Sequence, residues 1–297
     1  MPEISVLLAV HNAERFIEHS LNSVFAQTFR DIEIVVIDDG SQDKTLTKLL
    51  SIKNQSPFPF IIETNPENRE RIYSRNRAAE IASGEYLFFL DHDDAWRSNH
   101  LELMLNLIKK SDADAICSPL RSKMNMEGVQ TYTSKKALSN NVGELIFAAL
   151  VGGTPGIGFK KSAFPKYEDS FLFREDWELM IRSYLKGLKI VCGDFDTVIV
   201  REHPNRSSDC IPYFINSLKV FETYRNQVPK KYQHLFQFEI GSTAMRFGDL
   251  PKGWAMMIPS LIQDPTLNRN PRMWLLLLKR GFRIDKYLRH YSKGKKN

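Results

Sequence analysis

The feature that most constrains this chain is an alternation of strand and helix signals through its first ninety residues. Ile4–Val10 is an unbroken apolar run, as expected of a strand covered on both faces. Asn12 is placed to cap a helix whose apolar positions, Phe16, Ile17, Leu21, Val24 and Phe25, recur at helical spacing. Residues 32–37 form a second apolar run that stops at Asp38-Asp39-Gly40-Ser41. A short helix through Leu46, Leu49 and Leu50 is followed by a strand at 60–62. A helix is predicted over 72–82, closed by Gly84, and then a strand over 86–90 that stops at Asp91-His92-Asp93-Asp94. Strand, helix and strand at this spacing imply right-handed crossovers and a mostly parallel sheet. The chain is therefore predicted to be α/β, with a Rossmann-like central sheet flanked by helices.

Both acidic clusters then fall at the carboxyl ends of buried strands, the edge where open α/β sheets bind ligands. Anions crowded on one edge favour a cation between them. Asp91 and Asp93, one residue apart, can hold a divalent metal and leave positions for phosphate oxygens. As an isolated pattern the pair equally suits a polar loop, and Asp38-Asp39-Gly40 equally suits a plain turn. Arg75 is suited to clamp a phosphate, or to pair on a helix surface with Glu70 or Glu80. Glu175-Asp176 is expected to open a helix over 176–185, where it favours the dipole or supplies a general base. His203 is a ligand or an ordinary loop histidine.

The middle of the chain, 95–210, is less regular. It carries a helix at 101–108, a polar loop or hairpin at 119–133, and a glycine-rich turn at 152–156 before a short strand. Beyond Pro212 helices are predicted at 214–224, 232–247, 253–262 and 272–291. No apolar run approaches the roughly 20 residues that span a bilayer. The first strand lacks the flanks of a signal peptide, and three scattered cysteines suit a reducing compartment. The expected location is cytoplasmic, extending to the inner face of the cell membrane. Of the net +6, eight basic and one acidic residue between 279 and 297 contribute +7, leaving the rest near −1. Leu277, Gly281, Ile284, Leu288 and Tyr291 form one stripe in that stretch. A basic amphipathic helix there suits peripheral membrane contact through 272–297, or packing against 232–262 with a solvated basic face. No nucleic-acid partner is expected, and the helical extension offers a homodimer surface.

The order of these pieces carries more than any one of them. Residues 6–14, Asp38–Ser41, Arg75-Asn76, Asp91–Asp94, Glu175-Asp176 and the segment from His203 to Ser208 resemble, over about residues 3–210, the inverting glycosyltransferases of family 2 with the GT-A fold. That resemblance implies a GT-A domain over 1–210, with a nucleotide-binding half at 1–94 and an acceptor half at 95–210. A mainly helical extension at 211–297 lies outside it. It implies that Ala9 and His11 line the nucleoside pocket, Asp39 meets the base, Arg75 lies near the diphosphate and Asp91 faces the ribose or sugar. Asp93 and His203 would hold Mn²⁺ or Mg²⁺, and Asp176 would be the catalytic base. The implied partners are a nucleoside-diphosphate sugar, with UDP the expected nucleotide, and a glycan or lipid-linked glycan acceptor in surface polysaccharide synthesis. The Gln-x-x-Arg-Trp motif of processive members is absent, which implies addition of one sugar at a time. Two glycines common in the family are replaced, by Glu70 and Ala78. A silent module of the same fold is the alternative; the joint presence of Asp39, Arg75, Asp91, Asp93, Asp176 and His203 speaks against it.

Overall fold

A computed structural model describes residues 1–135, 138–203 and 207–263; the predicted 272–291 helix and residues 204–206 lie outside them. The chain divides into two compact units, one of residues 1–142 and 150–206, the other of 143–149 with the described residues from 207 onward.

The first unit is built on a seven-stranded sheet. Four strands, β1 (Ile4–Val10), β2 (Ile32–Asp38), β3 (Phe60–Thr64) and β4 (Tyr86–Phe89), run parallel in the order β4-β1-β2-β3. Their connections are the helices α1 (Ile17–Phe25), α2 (Thr45–Lys53) and α3 (Glu70–Ile81). β1 and β2 carry apolar residues on both faces because both faces are covered, and Leu8, Val6, Ile34 and Val36 are fully buried. Each such side chain contributes about 1.5–3 kcal/mol through burial. Ala9 is the exception in β1, only partly buried near the strand's carboxyl end. The N-terminus of α1 differs from expectation. Phe16 is its N-cap residue, and no side chain caps it. Asn12 instead adopts φ 50° and accepts the Gln42 N–H, so it joins the turn after β1 to the turn after β2.

The second half of this unit holds strands too short for their periodicity to show. After β5 (Ala95–Trp96) and α4 (His100–Lys110) come β6 (Ala115–Cys117), then β7 (Ser122–Met124) paired antiparallel with β8 (Gln130–Thr133). The hairpin expected in the polar stretch is this β7–β8 pair. Next along the chain are α5 (Val142–Phe147), β9 (Ile157–Lys160), α6 (Glu175–Leu185), β10 (Ile190–Cys192) and β11 (Val198–Arg201). β9 enters the main sheet antiparallel to both β4 and β6, and β10 extends it beyond β6. β5, β11, β7 and β8 make a separate small sheet. Trp96 anchors it by donating from Nε1 to the Pro155 carbonyl at 2.7 Å and stacking on His100. Burial holds the His100 imidazole neutral, lowering its pKa to about 3.

The second unit is helical, as expected: α7 (Ile211–Tyr224), α8 (Lys230–Phe247) and α9 (Leu250–Gln263). Gly241 and Gly253 let α8 and α9 approach closely; a Cβ on Gly241 would stand 2.9 Å from the Gly253 carbonyl oxygen. Phe147 stacks on Tyr232 and meets Phe236 edge-on. Among the described residues, no helix is long and apolar enough to cross a membrane.

Candidate active site

The carboxyl ends of β1, β2 and β4 lie side by side, because the chain reverses direction at the same rim after each strand. Asp39 follows β2 directly and is buried. Its N–H donates to the Val10 carbonyl, and its Oδ1 accepts from Asn65 Nδ2 at 2.6 Å and from the Arg69 N–H at 2.9 Å. The Asp39 carbonyl accepts from His11 Nδ1, 2.8 Å away, which fixes that tautomer and leaves Nε2 to accept from Asn12. Asp38 accepts from Ser41 Oγ. The acidic pair after β2 therefore needs no cation: the protein's own donors occupy it.

Asn65 also donates to Ser74 Oγ at 3.0 Å, which connects Asp39 to the helix carrying Arg75. Arg75 is buried and forked. One terminal nitrogen donates to Asp91 Oδ1 at 2.7 Å, the other to Glu175 Oε1 at 3.0 Å. Burial alone would lower its pKa, but Asp91, Tyr167 and Glu175 outweigh burial and raise it. The surface pairing with Glu70 or Glu80 does not occur; Glu80 pairs with Arg77 and Lys166. Arg71, one turn earlier, adds a second cation on Glu175 Oε1 at 3.2 Å.

After β4, Asp91 accepts from Ser20 Oγ through its carbonyl. Asp93 Oδ2 lies 3.1 Å from His203 Nε2, so the two residues that the resemblance assigns to a metal are neighbours. Burial opposes the charge on Asp93, yet the hydrogen bond from His203 and the nearby His92 hold its pKa below the ordinary value. Asp94 is used structurally and accepts the Arg201 N–H at 2.9 Å. The Arg201 side chain donates to the carbonyls of Asp93, Asn125 and Met126, fastening the small sheet to the Asp93 turn. Arg201 gave no signal in the sequence, since its role is carbonyl binding across distant segments.

Asp176 opens α6 beside Glu175 and is partly buried. Desolvation first, and then the Glu175 charge, push its pKa up to about 6. Its Oδ1 accepts the Trp177 N–H at 2.7 Å. α6 is buried nearly all round, with Glu178 paired to Arg182, so the helix start is rigidly held. Asn76 is structural: its amide exchanges two hydrogen bonds with the Tyr167 backbone, at 2.8 and 2.9 Å.

Arg75, Asp91 and Glu175, which leads directly into Asp176, thus form one cluster. Asp93 with His203 makes a second pair two residues from Asp91. Ala9, His11 and Asp39 line the neighbouring turn. Among the described residues, no group of three His, Cys, Asp or Glu is gathered tightly enough to hold a metal unaided. Asp93 and His203 supply two donors, a carboxylate and an imidazole, a set that suits Mn²⁺ or Mg²⁺ only with further oxygens from a ligand.

A mainly parallel sheet with acids gathered at its carboxyl rim, covered by helices and followed by a helical region, is the GT-A glycosyltransferase fold. The model of glycosyl transferase family 2 matches residues 5–164. The chain belongs to that family and is a glycosyltransferase. It is 26% identical over 242 residues to an uncharacterized glycosyltransferase of Rickettsia typhi, covering 77% of this chain and 72% of that one. It is 34% identical over 109 residues to the Escherichia coli UDP-Glc:alpha-D-GlcNAc-diphosphoundecaprenol beta-1,3-glucosyltransferase WfgD, covering 37% of this chain and 42% of WfgD. Among solved structures, S. aureus TarS 1-349 superposes with a TM-score of 0.64 at 18% identity, covering 86% of this chain and 75% of TarS 1-349. That likeness extends the fold assignment beyond the family match.

Proposed function

We propose that this enzyme transfers one sugar from a nucleoside-diphosphate donor, a UDP-sugar, to a hydroxyl of a glycan or lipid-linked glycan, inverting the anomeric configuration. The observation that carries the reading is the raised Asp176 carboxyl, pushed up to about 6, one residue from the Glu175 that anchors Arg75. A carboxylate tuned toward neutral pH is suited to general-base work. Relatives support the donor and acceptor classes. WfgD is named for UDP-Glc and a diphosphoundecaprenol-linked acceptor, a Bacillus spizizenii relative is a poly(ribitol-phosphate) beta-glucosyltransferase, and TarS has been solved with UDP-GlcNAc. The chain spans 42% of WfgD and 31% of the Bacillus enzyme.

In this reading Asp176 takes the proton of the acceptor hydroxyl as its oxygen bonds to the anomeric carbon. The bond from that carbon to the diphosphate breaks on the opposite face, and the diphosphate leaves with the electron pair. One displacement inverts the centre. His11, Ala9 and Asp39 line the nucleoside side, and Arg75 is positioned to meet the charge that develops on the diphosphate. Asp93 and His203 would hold Mn²⁺ or Mg²⁺, which when bound neutralises diphosphate charge. The placement at a cytoplasmic membrane face through 272–297 rests on the charge of that segment.

The test is thermal stability against UDP, GDP, CMP and dTDP, each with and without Mn²⁺. A ligand that binds only the native state raises the melting temperature by mass action. The expected outcome is a Mn²⁺-dependent rise with UDP that disappears in Asp93→Ala. No rise with any nucleotide would reject the donor reading in favour of a silent module.

A further inference from the structure

One buried polar group near the active site has no use within the fold. The Tyr167 hydroxyl is shielded from solvent and has no hydrogen-bond partner among the described residues. A buried hydroxyl left unpaired costs about 1–3 kcal/mol, so a phenylalanine here would fold better. The tyrosine ring is packed edge-on against Phe89, the last residue of β4, at 5.5 Å, and Phe164 flanks it at 5.8 Å. Those contacts need only the ring.

The segment bearing this tyrosine is held unusually firmly. The Asn76 amide clamps both backbone groups of Tyr167. Arg182 donates to the carbonyls of Pro165 and Lys166, at 3.0 and 2.7 Å. Lys166, the preceding residue, is held at φ 58°, and Phe173, three residues before Asp176, at φ 75°. Left-handed backbone at non-glycine residues costs roughly 1–2 kcal/mol each and persists where surroundings over-determine it, often beside functional sites. The charges that act on the Tyr167 hydroxyl are Arg75, Asp176, Glu175 and Asp91, the cluster around the start of α6. The Arg75 guanidinium carbon lies 5.5 Å from the tyrosine ring centre.

We infer that the Tyr167 hydroxyl is a specificity contact for the transferred sugar, completing its hydrogen bonding with a hydroxyl of the donor hexose. The inference rests on the donor reading above. In that reading Asp91 faces the donor's sugar end and Asp176 faces the incoming acceptor, and the hexose lies between them. A sugar hydroxyl both donates and accepts, which matches a phenol set among carboxylates and an arginine. The base and the diphosphate groups each have other partners, so the contact bears on sugar choice and not on nucleotide affinity.

Tyr167→Phe removes the hydroxyl and keeps the ring. Titration calorimetry with UDP, UDP-glucose and UDP-N-acetylglucosamine, each with Mn²⁺, would be compared with melting of the ligand-free proteins. The expected result is unchanged UDP affinity, a UDP-sugar affinity lowered about 3- to 30-fold for the sugar the wild type prefers, and a melting temperature equal or higher. Equal UDP-sugar affinities in both proteins would overturn the inference while leaving the donor reading intact. A lower melting temperature would also overturn it, by giving the hydroxyl a structural role. Failure of wild type to bind UDP or either sugar nucleotide would instead strike the donor reading itself.

Discussion

Two rims of one sheet treat buried carboxylates in opposite ways. At the amino rim, Glu33 near the start of β2 accepts from Ser5 Oγ, the Ser83 N–H and hydroxyl, and the Gly84 N–H. Burial would raise its pKa, but those donors outweigh burial and lower it. At the carboxyl rim, Asp176 accepts from one donor among the described residues, the Trp177 N–H, with a like charge beside it, and its pKa rises. The same fold therefore completes the hydrogen bonding of a carboxylate whose task is to hold strands together. It leaves unfinished the one proposed to change protonation state. Both are desolvated; what sets them apart is the supply of donors at Glu33 and the Glu175 charge beside Asp176.

The contrast is broken most forcefully at Asp176. Asp176→Asn should reduce transfer about 10²- to 10⁴-fold, the range of general-base catalysis, while leaving UDP affinity near wild type. In the wild type, kcat should rise with pH through about 6, as Asp176 loses its proton. Stability should move the other way. A folded pKa raised from 3.8 to about 6 gives stability that is full below 3.8 and lost as pH rises through 6. The asparagine variant escapes that loss. It should melt higher than wild type at pH 7–8, with the gap closing toward pH 4. Full transferase activity in Asp176→Asn would reject the base assignment.

Glu33 gives the complementary outcome. Glu33→Gln should cost about 1.5–3 kcal/mol at pH 7, since an amide cannot accept from four donors as a carboxylate does. The lowered folded pKa means that stability is present above about 4.5 and fades as pH falls through the lower folded value, so the variant's deficit should shrink in acid. Its kcat and KM, measured below the variant's melting range, should match wild type. A kinetic defect with unchanged melting would show that the amino rim communicates with the site.

The parallel half of the sheet was legible because β1, β2 and the 86–90 stretch are dominated by apolar residues, and β2 and β4 lead into acidic clusters. α3 and α6 announced themselves by spacing and by Arg75 and Asp176. What the residues could not show were the partners. Arg75 lies 100 positions from Glu175 in sequence, and their 3.0 Å contact exists only because α3 and α6 converge. β6, β10 and β11 span three or four residues each, too short for periodicity to register. Asp39 illustrates the opposite limit: its type suggested a turn or a hydrogen bond to a base, and could not show that Asn65 and the Arg69 N–H fill one of its oxygens. Tyr167 gave no signal in the sequence, and only the unpaired hydroxyl sets it apart.

Glu70 is where the departure from the family pattern acquires a physical meaning. Family members often carry glycine at this place, and here the backbone sits at φ 69°, the left-handed region, at the first residue of α3. Two substitutions separate strain from charge. Glu70→Ala and Glu70→Gly both remove the acid that favours the helix start, so that loss cancels between them. Strain relief of roughly 1–2 kcal/mol favours glycine, and its looser unfolded chain costs about 0.4–1 kcal/mol. The glycine variant should therefore be more stable than the alanine variant by about 0.8 kcal/mol, the difference between the midpoints of these two contributions. An ordinary helix interior position would show the reverse order, alanine ahead by about 1 kcal/mol. Urea unfolding of the pair reads the sign directly. Alanine ahead of glycine would mean that the left-handed turn leading to Arg71 and Arg75 is not strained, and that Glu70 is there for its charge alone.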